Sequence, residues 1–457
     1  MSALALEHRY QYLRASQLGG DHHLRLATVS PGDLHPHFFT GRLANPERTA
    51  KLLLSLMSVV HARFHIPAAM LERILAQSDP VVTSSDDRLR FEGFSGCCGA
   101  YARVDLHPEA LEGERFGRGT TNVDFNQPML SALAGVRGAQ PVSISVGQDS
   151  VELSTEAVSV VERKVKLPMR WLRGFVEVQA VAQRMRPVLE VNGVEAARFL
   201  KGLPRMHTNR RSTWIVPSGR SLRLSQVEPK GAARDTSVRV GGLERLRCLE
   251  KLASSSKALR IFSDARTGAT GWVLVFDDSR FQLLISPEVW RGFSGEGQAL
   301  EALAGEAYRD VLNRVRAQLS WNAVIEPKAL AERAGVPLKV VADSLAALGT
   351  RGLVGFDLDA GAYFHRELPF DLSLVERTQS RLKAARKLAS EGKVRIEQRK
   401  AGNAEAYVAS AGVEHHVRLT EDDARCSCPW YAKHQTERGP CKHLLALQIV
   451  LEDTEGE

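Results

Sequence analysis

Four residues near the C-terminus set the tightest constraint on this chain. Cys426 and Cys428 stand two apart, twelve residues intervene, and Cys441 and His443 again stand two apart, giving C-x-C-x12-C-x-H. Zinc takes four soft or borderline ligands in a tetrahedron, and two close pairs joined by a loop let one chain wrap the ion with little strain. Three thiolates and one imidazole meet that need. Four protein ligands leave no open position for water, so the predicted ion is one structural Zn2+. His434 lies in the intervening loop as a competing ligand, but the spacing from Cys441 favours His443.

Cysteine usage elsewhere agrees. Six cysteines in 457 residues are too few for a disulfide scaffold, and three of them fall within the metal motif, which points to a reducing cytoplasm. Cys97 and Cys98 are adjacent and read as two packed or partly exposed thiols, Cys248 as a small core residue. The N-terminus, MSALALEHRYQYLRAS, lacks the uninterrupted apolar stretch of a secretory signal. The most apolar run, LLLSLMSVV (52–60), is bounded by Lys51 and His61 and is about half of the ~20 residues that a membrane span requires, so a buried helix is expected and no membrane contact.

The length predicts an α+β multidomain chain. Residues 1–140 read as a mixed α/β domain of no assignable role, with helices through Glu47–Val60 and near 68–77. Residues 141–300 form a basic α/β domain. In it PVSISVGQDSVELS alternates like a hairpin, with Val142, Ile144 and Val146 on one face. Two phrases, LPMRWLRGFVE (167–177) and ISPEVWRGFSGE (285–296), each follow paired strands and share a tryptophan and Arg-Gly-Phe, which suggests a diverged hairpin-plus-helix repeat or a coincidence of four residues. The net charge of +8 is concentrated here: residues 151–240 hold 17 Lys and Arg against 8 Asp and Glu. Such an excess suits an acidic partner such as nucleic acid, or solubility alone.

From residue 301 to 370 the pattern turns to helix, helix-turn-helix and a hairpin, LVGF and AYFH, which resembles a winged helix. Its third helix, LKVVADSLAAL, offers a major groove only Lys339, Ser344 and Asp343, so protein docking is expected before DNA reading. Residues 371–390 read as a basic helical linker. Nine cations between 377 and 400 form a solvated helix face or a phosphate-tracking surface that leads into the metal module.

Residues 391–457 hold that module. Strands around Val394–Ile396, Tyr407–Ser410 and Val413–Leu419 precede the first ligand pair, and Leu444, Leu445, Leu447 and Ile449 begin a helix after the second. With CSCPWY and PCKHLLAL around the ligands, this segment closely resembles the SWIM zinc finger. The resemblance implies a zinc-binding ββα module tied to DNA binding or protein interaction, without catalysis. More loosely, the architecture is similar to that of bacterial SWIM proteins that accompany MoxR-type AAA+ ATPases and von Willebrand A-domain proteins.

The leading expectation is therefore a non-enzymatic adaptor that acts through protein–protein or nucleic-acid contacts. The alternative is a DNA-binding protein that uses the finger and Arg395, Arg399, Lys400, Lys433 and Lys442, cations close to the motif in sequence. A remote alternative is a cysteine-dependent enzyme around Cys97 or Cys98 in FSGCCGAY, with Asp105 or His107 as base. No G-x-x-x-x-G-K-S/T loop occurs, so any ATPase activity would come from a partner chain.

Overall fold

The computed structural model describes residues 17–18, 24–25, 37–62, 80–85, 87–115, 117–122, 125–138, 140–147, 150–155, 159–163, 167, 169–204, 213–287, 292–295, 297, 299–300, 309–368, 380–400, 403–420, 423–435 and 437–453. The helix expected over 68–77 lies outside them.

Helix and strand are mixed along the whole chain. The apolar 52–60 run is the core of a helix, Pro46–Val60. The Asn45 side chain caps it by accepting the Arg48 N–H, and Pro46 sits at the first turn, where a missing N–H is harmless. Leu52, Leu56, Met57 and Val60 are buried, each contributing roughly 1.5–3 kcal/mol. They face the Leu89–Phe94 and Ala100–Leu106 strands. The approach is close enough that a Cβ on Gly93 would lie 2.5 Å from Val60 Cγ2.

Val142–Gly147 and Ser150–Thr155 form the hairpin that their alternation predicts, with Val151 opposite Val146 and Leu153 opposite Ile144. His37–Leu43 pairs with its other side, and Ser159–Arg163 and Leu111–Arg115 complete a five-stranded sheet. An eight-stranded antiparallel sheet runs Arg186–Asn192, Ala258–Ser263, Thr270–Val275, Ser279–Ile285, Ala100–Leu106, Leu89–Phe94, Val81–Ser84, Gly119–Asn122. Strands from both sides of residue 140 thus share one sheet, meeting where Phe281 faces Val104 and Leu283 faces Ala102. One apolar cluster accordingly reaches from Phe38 to Leu368.

The two Arg-Gly-Phe phrases adopt different local structure. The first lies in the helix Met169–Ala182; the described part of the second is the short 3-10 helix Gly292–Gly295, and Trp290 and Arg291 fall outside the described residues. Phe175 and Phe293 nevertheless meet the same ring, Phe94, at centroid distances of 4.9 and 6.5 Å.

Helices Arg309–Ala317, Pro327–Ala334 and Leu338–Thr350 precede the hairpin Val354–Asp357 and Ala362–His365. Gly335, at φ +64°, ends the second helix in the left-handed region. The C-terminal half of the third helix is buried and packs against Met169–Ala182, leaving Leu338, Lys339, Ala342 and Asp343 exposed.

The hairpin is set into the eight-stranded sheet by buried charge. Asp357 lies 3.0 Å from Arg103 and 3.5 Å from Arg90, and Asp105 bonds the same two arginines at 2.7 and 3.1 Å. Arg103 also donates to the Phe356 carbonyl at 2.8 Å, and Arg90 lies 4.0 Å over the Phe364 ring. Burial alone would lift the Asp357 carboxyl, yet the Arg103 and Arg90 guanidiniums outweigh it and hold it well below the usual carboxylate range. Nearby, Arg366 pairs with Glu92 at 2.5 Å, and Glu92 also accepts the Tyr101 hydroxyl.

Candidate metal centre

The C-terminal module is a four-stranded antiparallel sheet, Val394–Lys400, Asn403–Ser410, Val413–Leu419 and Ala424–Cys426, covered on one face by the helix Lys442–Asp453. Ala411 and Gly412, at φ +54° and +79°, make the tight turn between the second and third strands. Ala406, Val408 and Val417 point inward and are fully buried with Leu445 and Leu447. The helix Ser380–Ser390 belongs to this core as well, through Leu382 and Ala385.

That framework brings the two ligand pairs together. Cys426 ends the last strand, directly opposite Val417; Cys428 caps the short helix Pro429–His434; Cys441 immediately precedes Lys442–Asp453, whose first turn carries His443. One ligand atom from each of the four residues lies within 4.8 Å of every other, and all four residues are buried. A tetrahedron with ~2.3 Å metal–sulfur bonds has edges near ~3.8 Å. The 3.7 Å between Cys426 Sγ and His443 Nδ1 suits it.

Electrostatics around the cluster favour anions. Cys428 Sγ accepts the Tyr431 N–H at 3.4 Å and Cys441 Sγ the Leu444 N–H at 3.5 Å, so each sulfur sits where a helix presents its unpaired donors. His443 Nε2 is buried without a hydrogen-bond partner, and its ring lies against His415 at 4.3 Å. Three buried sulfurs and a buried, underbonded imidazole gathered this closely are a donor set that fits Zn2+.

His434 stands outside the cluster, its ring 4.4 Å from that of Trp430. The five cations close to the motif in sequence lie on three elements: Arg395, Arg399 and Lys400 on the strand Val394–Lys400, Lys433 on the helix Pro429–His434 and Lys442 on the helix Lys442–Asp453. Arg395 lies over the Tyr407 ring and 3.5 Å from Glu414, whereas Arg399 donates to the Leu451 carbonyl. Lys400 and Lys433 are exposed. Lys442 begins the last helix, about 14 Å along its axis from Leu451 at 1.5 Å per residue. Sequence reasoning missed Arg381: it donates to the Arg438 and Pro440 carbonyls at 2.8 Å each and lies 4.6 Å over Trp430. The Gly-Pro immediately before Cys441, a turn whose carbonyls need donors, was the available signal.

The thiols of FSGCCGAY are placed differently. Cys98 is fully buried at φ +56° and Cys97 lies 3.5 Å from Ser95 Oγ. Asp105 is five strand residues beyond Ala100, about 17 Å at ~3.3 Å each, and is committed to Arg90 and Arg103. None of the six cysteines is in a disulfide. Among the described residues, no helix is long and apolar enough to cross a membrane.

No curated protein matches this chain. Among solved structures, that of Proliferating Cellular Nuclear Antigen from Entamoeba histolytica is similar at 11% identity, over 55% of this chain and 99% of that one, with a TM-score of 0.36. That of the C-terminal region of FEN-1 bound to A. fulgidus PCNA is similar at 11% identity, over 55% and 98%, with a TM-score of 0.38. Residues 415–450, which hold all four candidate ligands, match the SWIM zinc finger family.

Proposed function

We propose that this chain is a zinc-binding, non-enzymatic adaptor of the cytoplasm, held in shape at its C-terminus by one structural Zn2+ on Cys426, Cys428, Cys441 and His443. The observation that carries the reading is the closed, buried cluster of three thiols and one imidazole. The ion supplies cross-linking there, and the chain's own residues supply the charge balance and the fixed geometry. Elemental analysis of the purified chain tests it: about one zinc per chain supports the reading, whereas no metal, or iron in its place, contradicts it.

Residues 309–365 serve in this reading as a winged-helix-like docking unit. Its hairpin is engaged with Arg90 and Arg103, and its third helix exposes one cation, Lys339, so protein contacts suit it better than a DNA groove. The adaptor's partner is a protein, with a MoxR-type AAA+ ATPase as the candidate that the loose family resemblance brings forward; co-purification with such an ATPase tests this.

A second reading, DNA binding through the finger, draws on the exposed Lys400 and Lys433. Replacing Arg395, Arg399, Lys400, Lys433 and Lys442 with glutamine leaves every candidate ligand in place. Loss of nucleic-acid binding with zinc retained would put this reading first. Unchanged nucleic-acid binding with loss of a protein partner favours the adaptor.

A further inference from the structure

Thr213–Ser218, Ser221–Ser225 and Val238–Val240 form a separate three-stranded antiparallel sheet, with Ser221–Ser225 at one edge. The tight turn at Gly219, φ +61°, closes on the pair Ser218 and Ser221, so Ser221, Arg223 and Ser225 exchange backbone hydrogen bonds with the middle strand. Pro217, which has no N–H to give, accordingly falls opposite Leu222 at a non-exchanging place. Leu222 and Leu224 therefore turn their N–H and C=O groups to the outer side, where no strand pairs with them among the described residues. The helix Gly193–Lys201 lies alongside that strand. Between the two is an open cavity of about 310 Å³, lined by Phe199 and Leu203 from the helix and its end and by Leu222 and Leu224 from the strand. An exposed valine stands beside each wall: Val194 on the helix is 70% exposed, and Val227, just beyond the strand, 73%.

An edge strand with open backbone donors and acceptors is a template for one more strand, and a helix set beside it makes a groove in which alternate side chains of that strand are read. A nucleic acid has no row of N–H and C=O groups to match this edge. A helix has none to offer, because its own are satisfied internally. An extended peptide supplies both at the strand spacing, together with an apolar side chain for the cavity. Charge narrows its sequence. Glu195 and Arg198, paired at 2.6 Å, line the same cavity as Arg223, one carboxylate against two guanidiniums, so a single acidic residue in the peptide balances the site. A second copy of Ser221–Ser225, paired symmetrically about its centre, would set Arg223 opposite Arg223 and bring no acid. We propose that this groove takes an extended segment of a protein partner, which adds as a fourth strand beside Ser221–Ser225, carries one acidic residue and seats one apolar side chain among Phe199, Leu203, Leu222 and Leu224.

The proposal rests on the protein-docking reading above and uses no residue of the finger, so zinc content and peptide capture fail separately. The probe is a phage-displayed library of random peptides about eight residues long, enough to cover Ser221–Ser225, panned on the full chain. Enriched sequences are then made as labelled peptides and titrated by fluorescence anisotropy. The expected consensus is one apolar residue with Asp or Glu near it. Methylating the peptide's backbone nitrogens one at a time should weaken binding at alternate positions only, the mark of an added strand. Gly202→Leu is the first variant: Gly202 lines the cavity, its backbone at φ −78° accepts any residue, and a Cβ there would meet nothing closer than 3.4 Å. The leucine should fill the groove and weaken the peptide about tenfold or more, with zinc content and thermal midpoint unchanged. Leu224→Pro, which removes an outward N–H but no ladder bond of the sheet, should act in the same direction. No enriched peptide, or enriched peptides held by both variants as by the parent, would overturn the proposal. So would a methylation scan without alternation. Dimerisation of the parent that Gly202→Leu abolishes would give the groove to a second copy and overturn it too, as would displacement of the peptide by a random oligonucleotide at ~150 mM salt.

Discussion

Arg381 and Pro440 are joined by a 2.8 Å hydrogen bond, from a guanidinium Nη1 to the carbonyl of the residue that immediately precedes Cys441. The same nitrogen holds the Arg438 carbonyl. A helix outside the segment that matches the SWIM family thus fixes the loop that delivers the second ligand pair. Supports of this kind orient metal ligands, and their loss typically costs about tenfold to a hundredfold in metal affinity. Arg381→Ala should lose zinc to a competing chelator at correspondingly lower chelator concentration. Gly297→Ala should act in the same direction, because a Cβ there would lie 2.1 Å from Arg381 Nη2. Parent-like zinc retention in both variants would rule out a clamp.

Cys426→Ser should lose the ion, and Cys248→Ser should keep it. Chelation should raise amide exchange throughout 380–453, where the apolar core is small and separate, while the eight-stranded sheet stays protected. Exchange that rises equally in both regions would argue against a metal-dependent module.

Asp357 makes docking of its hairpin sensitive to acid. Its folded pKa lies below the ordinary 3.8, so the unfolded chain binds a proton before the folded one does. The stabilisation is therefore complete above about pH 5 and declines as pH falls through 4 and below. Asp357→Asn should remove that part of the acid dependence, and by leaving Arg90 and Arg103 short of a buried counter-charge should destabilise the fold at neutral pH by about 3–5 kcal/mol. Denaturant unfolding of parent and variant at pH 4 and pH 7 measures both effects.

Lys339→Gln should leave nucleic-acid binding unchanged, because the C-terminal half of the third helix of the winged-helix-like unit packs against Met169–Ala182 and its exposed half offers a single cation. A weakened electrophoretic shift in this variant, surviving random competitor at ~150 mM salt, would return that helix to the groove of a duplex.

Local patterns were legible in the sequence where the physics is local. Cys426, Cys428, Cys441 and His443 announce themselves because zinc dictates ligand type and spacing within one loop. Val142 to Leu153 alternate because Val142, Ile144, Val146, Val151 and Leu153 join the apolar core while the residues between them are polar. Arg90, Arg103 and Asp105 gave no such signal: on a strand they read as solvated charges, and only a hairpin some 250 residues later supplies the Asp357 that makes their burial tolerable. Asp105 looked available as a base for Cys97 or Cys98 for the same reason, since neither its arginine partners nor its distance along the strand can be seen in a string of letters. The sheet that crosses residue 140 was hidden likewise, because the pairing of Ala100–Leu106 with Ser279–Ile285 leaves no trace in either segment alone.

Leu382 and Ala385 sit in the same apolar cluster as Leu445 and Cys441, with Leu300 beside them. The finger is therefore no portable cassette. A gene fragment begun at residue 391 would carry every metal ligand and yet leave the last helix with a bare apolar flank, inviting aggregation. Grafting the finger onto another protein requires the Ser380–Ser390 helix to travel with it.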